Sequence, residues 1–154
     1  MLEVKPFMQR AGLCGPACLK MVLNYYKIRQ SERELARLSG CTPSKGVDAN
    51  GLLKATKKLG LKGFVKDFAD LSDIKYYVSK KKIPVIVDWF SADDGHYSVV
   101  VDIDKSNIYL LDPALGHIIA LTLKTFKRVW FDFPGDFISS KNKLVIRRMI
   151  VIHK

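Results

Sequence analysis

The 154-residue sequence predicts an α+β fold, in which an N-terminal helical half packs on a C-terminal antiparallel sheet. Up to about residue 81, apolar residues recur at the three- and four-residue spacing of helices. From residue 83 onward, short runs rich in β-branched and aromatic residues alternate with polar turns. With 48% hydrophobic residues, the chain can bury roughly two thirds of its unfolded surface in one core. We therefore expect a single domain over residues 1–154 with a cleft between its halves.

The first two predicted helices have recognisable beginnings. Cys14 opens the first, because Pro16 is tolerated in a first turn whose N–H groups have no partner inside the helix. Its apolar stripe continues at helical spacing for about three turns. Residues 31–34, Ser-Glu-Arg-Glu, have the form of a capping box, and Gly40 favours a helix end there. These signals predict a second, short helix between them.

Two further helices and one strand are expected before the sheet. Residues 48–59 form an apolar helical pattern that Gly60 ends, and residues 62–65 are typical of a short strand. Residues 71–81 again have helical spacing, with lysines in the last turn, where cations interact favourably with the helix dipole.

The C-terminal half is predicted to be mostly antiparallel sheet. Four β-rich runs follow one another closely, and antiparallel neighbours need only short connections. A brief helix and a final strand complete the pattern. The predicted strands are 83–90, 96–104, 108–112, 117–121 and 144–152, the helix is 123–130, and residues 139–143 form a loop.

The composition indicates where in the cell the protein is expected and which partners are unlikely. The formal net charge is +11, but the basic residues form no regular stripe interleaved with aromatics, so we interpret them as a solvated surface and nucleic-acid binding as unlikely. There is no apolar run long enough for a signal peptide or a membrane span. Three cysteines, an odd number, fit a reducing compartment better than a disulfide framework. We therefore expect a cytoplasmic protein.

Three residues can supply the chemistry of a thiol hydrolase. Cys14 stands at the head of a helix, His96 follows 82 residues later at the mouth of a strand, and Asp112 ends the next strand before a proline. A thiol becomes an effective nucleophile when a base removes its proton. A carboxylate on the second imidazole nitrogen then fixes the tautomer of that base. The trio predicts nucleophile, base and orienting residue.

The helix end alone cannot activate the sulfur. A helix terminus contributes ~0.3 to 1 kcal/mol to a nearby anion, which lowers a thiol pKa by less than about one unit. In Cys/His ion pairs, by contrast, a thiol pKa falls to roughly 3 to 4. The proposed chemistry therefore depends on His96.

The remaining cysteines and histidines are expected to be structural. Cys18 lies one turn beyond Cys14 on the same apolar stripe, and Cys41 follows a predicted helix end. His117 lacks the setting of His96, and His153 is next to the chain end. Their spacings match no common zinc site. We therefore predict neither a metal nor a cofactor.

Gln9 is the fourth candidate. Its side-chain amide can donate to an oxyanion beside the Cys14 backbone N–H, a contribution typically worth ~2.7 to 4 kcal/mol. An ordinary polar residue in an N-terminal arm is nearly as plausible from the sequence alone.

Together these motifs resemble a known family. Gln9, residues 14–19 (Cys-Gly-Pro-Ala-Cys-Leu), residues 95–101 (Gly-His-Tyr-Ser-Val-Val-Val) and Asp112-Pro113 are similar to the papain-superfamily cysteine peptidases that process double-glycine leader peptides of bacteriocins. The resemblance implies a papain-like fold, with Cys14 as nucleophile, His96 as general base and acid, Asp112 as orienting residue and Gln9 as oxyanion donor. It also implies a leader peptide as substrate and an export system as partner. No exporter sequence accompanies the motifs, so we expect a stand-alone domain.

Two alternatives remain open at this point. The same fold could transfer the acyl group to an amine or a thiol, which would make the protein an acyltransferase or transpeptidase. It could also be a catalytically silent peptide-binding module, although the presence of Cys14 argues against that. In each case the partner is a peptide or protein.

Overall fold

Five α-helices and eight strands make up the chain, and the structure, a computed structural model, describes residues 1–154. The helices are α1 (Cys14–Tyr25), α2 (Glu32–Ser39), α3 (Ala49–Lys58), α4 (Leu71–Lys75), which continues into a π-helical segment (Tyr76–Lys80), and α5 (Leu123–Val129). The strands are β1 (Lys62–Lys66), β2 (Val85–Ser91), β3 (Asp94–Ile103), β4 (Asn107–Asp112), β5 (His117–Thr122), β6 (Phe131–Asp132), β7 (Val145–Ile146) and β8 (Arg148–His153), and a 3-10 turn covers Lys141–Lys143.

Six strands form one fully antiparallel sheet in the order β1-β8-β2-β3-β4-β5. The last strand, β8, lies between β1 and β2, so the C-terminus ties the early strand to the later ones. The short strands β6 and β7 pair separately. The predicted α+β class with an antiparallel sheet is confirmed.

Helix α2 begins and ends where the sequence predicts, but only half of the predicted capping box forms. The Ser31 hydroxyl accepts a hydrogen bond from the Glu34 N–H at 3.0 Å, and Gly40 ends the helix in the left-handed region, with φ of 74°. The Glu34 carboxylate does not complete the capping box. It pairs with Arg37 at 2.6 and 2.9 Å, because a guanidinium is a stronger donor than a neutral backbone N–H.

The sheet is buried on both faces, which adds a third layer to the predicted two-part arrangement. Helices α1 to α3 cover one face, and α4, the π-helical segment and α5 cover the other. In β2, Val85, Ile86 and Val87 are all fully buried, so consecutive residues face opposite cores. The second core contains Ile74, Val78, Phe126 and Trp130 from the covering helices.

Two predicted elements are interrupted. The helix expected over residues 71–81 changes from α to π at Tyr76, and there Tyr77 packs on Phe64 with ring centroids 5.8 Å apart. The strand expected over residues 144–152 breaks at Arg147, whose φ is +48° and whose Nε donates to the Ala69 carbonyl at 2.8 Å. This break lets residues 145–146 pair with β6 and leaves β8 in the main sheet.

The three-layer arrangement brings the N-terminus of α1 to the end of the sheet where β3 begins and β4 ends. No helix is both long and apolar enough to cross a lipid bilayer.

Candidate active site

Cys14 is the first residue of α1 and is half-buried. The residue before it, Leu13, supplies no side-chain cap, so the first-turn N–H groups are not occupied by a capping side chain. The helix start is held tightly against the sheet: a Cβ added to Gly15 would lie 2.4 Å from Val47 Cγ1 and 3.5 Å from Tyr97 Cδ2. Tyr97 also donates its hydroxyl to the Val47 carbonyl at 3.0 Å. The position of the thiol is therefore set by close packing.

His96 and Asp112 meet across two neighbouring strands. His96 is the third residue of β3, Asp112 is the last residue of β4, and His96 Nε2 lies 2.5 Å from Asp112 Oδ1. The same carboxylate oxygen accepts the Ala114 N–H at 3.0 Å, which fixes the carboxylate from its other side. Because Nε2 is engaged, Nδ1 is the ring nitrogen left to face the thiol.

The electrostatics favour a protonated imidazole. Burial alone lowers the pKa of His96, but hydrogen bonds with Asp112 and Cys14, and the negative charges of both groups, raise it to about 9. Burial raises the pKa of Asp112, yet the hydrogen bond and charge of His96, together with the Ala114 N–H, hold that pKa below its usual range. His96 and Asp112 therefore stabilise each other as an ion pair.

Trp89 supports His96 from the neighbouring strand and was not among the residues predicted from sequence. The two residues are register partners between β2 and β3, and their rings meet edge to face with centroids 6.1 Å apart. The indole Nε1 donates to Ser98 Oγ at 3.0 Å, which fixes the orientation of the indole. An apolar ring beside the imidazole limits access of water to the His96–Asp112 pair.

Gln9 lies at the same end of the sheet, but it does not line the cleft that Cys14 lines. Its backbone N–H donates to the Pro113 carbonyl at 2.8 Å, which fastens the N-terminal arm next to Asp112. The side-chain Nε2 donates to the Arg10 carbonyl at 3.2 Å, and Oε1 is buried without a hydrogen-bond partner. The amide has a second N–H donor, and the role of Gln9 as oxyanion donor stays a prediction.

A cleft of about 940 Å³ opens over Cys14 and His96. Asp112 is behind His96 and does not line it. Sequence reasoning missed the carboxylates in its wall, of which Asp88 and Asp132 lie deepest. One sequence feature could have revealed Asp88, because it is a charged residue inside the apolar run 83–90. No sequence feature points to Asp132, because a two-residue strand cannot be distinguished from a loop.

The sequence of the chain identifies its family. The Peptidase C39 family model matches residues 8–133, which is most of the chain and includes Gln9, Cys14, His96 and Asp112. The chain belongs to the Peptidase C39 family.

Relatives and a solved structure agree with the C39 assignment. An uncharacterized protein of Methanothermobacter thermautotrophicus is 34% identical over 148 residues, which cover 95% of this chain and 89% of that protein. The lactococcin-G-processing and transport ATP-binding protein LagD of Lactococcus lactis is 31% identical over 76% of this chain but only 16% of its own length. The crystal structure of a double-glycine-motif protease from an AMS/PCAT transporter, in complex with the leader peptide, matches with a TM-score of 0.71. That match covers 99% of this chain and 92% of the other at 23% identity, and shows the same fold.

The other thiols of this C39 protein are in different environments from Cys14. Cys18 is fully buried, and burial raises its pKa well above the usual range. Burial also raises the pKa of Cys41, to about 11. His117 is exposed on β5, as expected for a surface histidine. Among the three cysteines, Cys14 alone lines the cleft.

Proposed function

We propose that this C39 protein is a cysteine peptidase that cleaves the peptide bond after a Gly-Gly pair in a leader peptide. The observation that carries the proposal is the His96–Asp112 pair next to Cys14: the imidazole bonds the carboxylate through Nε2, and its pKa is raised by both neighbours. A base placed in this way can take the proton of a thiol, which an isolated imidazole with a pKa near 6.5 does less well.

The first half of the proposed reaction forms an acyl-enzyme. His96 Nδ1 takes the proton from Cys14 Sγ, and the thiolate attacks the carbonyl carbon of the second glycine. The tetrahedral intermediate collapses with cleavage of the C–N bond, and His96 gives its proton to the leaving amine. Asp112 keeps its negative charge throughout and orients the ring.

The second half releases the leader. Water gives a proton to His96 and attacks the thioester carbonyl, the C–S bond breaks, and the leader leaves with a new carboxyl group. The Cys14 N–H, the first of α1, is one donor for the oxyanion in both halves. The Gln9 amide is the proposed second donor, since its backbone is fastened at Pro113 and its Nε2 has a second N–H besides the one donated to the Arg10 carbonyl.

The proposed substrate and partner follow from the relatives. LagD carries both processing and transport in its name, and the structurally similar protease was solved with a leader peptide. We infer that this chain acts on a leader peptide of an exported peptide, in cooperation with an export system. Its three free thiols are consistent with a reducing, cytoplasmic location.

Cleavage of defined peptides tests the proposal. Synthetic peptides with one Gly-Gly site, and matched peptides with Val-Val at that site, are incubated with the purified full chain, and the fragments are identified by mass spectrometry. We expect cleavage after Gly-Gly only. Cys14→Ala should lower kcat by at least about a thousandfold, whereas Cys41→Ala is the matched cysteine control and should keep the rate.

The same assay separates hydrolysis from acyl transfer. Free amines are added at increasing concentration, and the ratio of amide to acid product is measured. Predominant transfer would replace the peptidase proposal with a transferase, and equal cleavage by the Cys14→Ala protein would remove the thiol mechanism altogether.

A further inference from the structure

The cleft is acidic although the protein is strongly basic. The whole chain has a net charge of +11. Apart from His96, three cations, Lys45, Lys143 and Arg148, line the cleft, compared with six aspartates. A concave site whose charge opposes that of the surrounding surface concentrates ligands of the complementary sign. The six carboxylates belong to Asp48, Asp67, Asp88, Asp94, Asp132 and Asp136.

Asp88 is the unusual member of this wall. It is only 4% exposed, it faces the cleft from β2, and its Oδ1 accepts no hydrogen bond within the chain. Arg148 is its register partner on β8, but that guanidinium is committed to Asp67 at 2.7 and 3.0 Å. A buried carboxyl oxygen that accepts no hydrogen bond destabilises the folded protein. A ligand that donates a hydrogen bond to Oδ1 of Asp88 would remove this cost.

Asp132 completes the pair from β6. Its carboxyl lies against Gly95, where an added Cβ would be 2.2 Å from Asp132 Oδ1, so a glycine is needed one residue before His96. Asp88 and Asp132 both line the cleft, and burial, together with Asp132 as a hydrogen-bonding and charged neighbour, raises the pKa of Asp88 well above its usual range. Two adjacent carboxyls that share one proton still carry one negative charge.

We propose that Asp88 and Asp132 form a subsite for a basic side chain, arginine or lysine, of the peptide substrate. The inference rests on the proposed peptidase function and names the substrate class of the same cleft. A neutral donor would satisfy the free Oδ1 but would leave the charge of the pair uncompensated. A guanidinium supplies N–H donors to the pair and neutralises its one negative charge, while the shared proton stays in place.

Matched peptides with arginine or citrulline test the subsite. Citrulline keeps the shape of arginine and most of its N–H donors but has no charge. Gly-Gly peptides carry one arginine at each of about four positions on either side of the cleavage site, and kcat/KM is compared with that of the citrulline twin. At one position we expect the arginine peptide to be preferred by about tenfold or more, the usual worth of a charge-assisted contact.

The variants assign the preference to the two residues. Asp88→Asn and Asp132→Asn should each reduce the arginine-to-citrulline ratio to about 1 to 2, while Asp93→Asn, an exposed aspartate outside the cleft lining, should keep the wild-type ratio. Both peptides are measured on one preparation, so a variant that folds only partly changes both rates and leaves the ratio intact.

A binding measurement tests the subsite independently of the proposed peptidase activity. The same peptide pairs are titrated into the Cys14→Ala protein by calorimetry, where cleavage is not required. Arginine peptides that bind more tightly than their twins support the subsite even if the wild-type protein cuts nothing, which would refute the peptidase proposal alone. Equal affinity and equal kcat/KM at every position would overturn the subsite and leave the peptidase standing.

Discussion

The Nε2 atom of His96 lies 2.5 Å from Oδ1 of Asp112, on the side of the ring away from the cleft. The two residues come from adjacent antiparallel strands, so their separation is fixed by the sheet itself and not by a loop. A movement that draws their two backbones apart has to disturb the β3–β4 pairing. The ring is thereby held in one tautomer when it is neutral, with Nδ1 free to accept the thiol proton.

The first prediction concerns the basicity of His96. Replacing Asp112 with alanine removes a hydrogen bond and a negative charge that both raise the pKa of His96 from its usual value to about 9. Burial, which lowers this pKa, and the hydrogen bond and charge of Cys14, which raise it, remain. We therefore expect the pKa of His96 in Asp112→Ala to fall from about 9 toward 6.5, the usual value. Titration of the imidazole resonances by NMR measures it.

Asp93→Ala serves as the control for this titration, because it removes an exposed aspartate near the start of the same strand. The pKa of His96 in Asp93→Ala should equal that in the wild-type protein. An unchanged midpoint in Asp112→Ala would mean that the carboxylate does not tune the imidazole, and its proposed catalytic role would be lost.

The second prediction concerns thiol reactivity. At pH 6, iodoacetamide should label Cys14 at least about a hundredfold faster than Cys18 or Cys41, because only a thiolate reacts and burial raises the pKa of the latter two. Mass spectrometry of tryptic peptides after short exposures gives the three rates. In His96→Ala the labelling rate of Cys14 should fall, and the difference that remains should be only what the burial of Cys18 and Cys41 produces. Uniform labelling of all three cysteines in the wild-type protein would contradict an activated nucleophile.

The candidate site residues that the sequence indicates are those with local signals. Cys14 precedes a proline at a helix start, and both His96 and Asp112 stand where an apolar run meets a polar turn. The α+β class followed in the same way from periodicity, and the antiparallel pairing followed from the short connections. Each of these signals lies within a few residues of the feature that it predicts.

The residues that were missed depend on contacts between distant segments. The Asp88–Asp132 pair needs β6 to fold over the start of β3, and β6 has only two residues. The break at Arg147 that creates β7 depends on the carbonyl of Ala69, which is distant in sequence. The second helical layer also could not be inferred, since periodicity gives the apolar face of a helix but not the face of the sheet that it covers.

The third prediction tests Gln9. If its amide donates to an oxyanion during the reaction, Gln9→Ala should lower kcat by about a hundredfold or more and leave KM nearly unchanged, because the interaction exists only in the transition state. Steady-state kinetics on a Gly-Gly peptide measures both constants.

Gln30→Ala is the matched control, since Gln30 follows the C-terminal end of α1, whereas Cys14 begins that helix. It should keep the wild-type kcat. A Gln9→Ala protein with unaltered kcat would show that the side chain serves only the N-terminal arm, and the Cys14 N–H would then be the one remaining proposed donor.

The fourth prediction concerns the stability cost of Asp88. Because burial and Asp132 raise its pKa, the folded chain retains a proton that the unfolded chain releases above the ordinary aspartate pKa of about 3.9. The folded state therefore loses stability relative to the unfolded state as the pH rises from about 3.9, the pKa in the unfolded chain, toward about 9, the pKa in the folded chain. Asparagine has no proton to lose and can donate its amide to Asp132. We expect Asp88→Asn to raise the free energy of unfolding at pH 8 by about 1 to 3 kcal/mol, and by less at pH 5.

Urea unfolding at pH 5, 6.5 and 8 measures this difference, with Asp93→Asn as the control that should shift little at any of the three values. The sign is informative because a variant that merely damaged packing would lose stability at every pH. A loss in Asp88→Asn that is equal at pH 5 and pH 8 would contradict the buried, proton-sharing pair. A gain in the free energy of unfolding that grows with pH would mean that the Asp88 carboxyl costs stability in the free protein. Such a cost is expected of a residue whose negative charge serves to bind a cationic ligand.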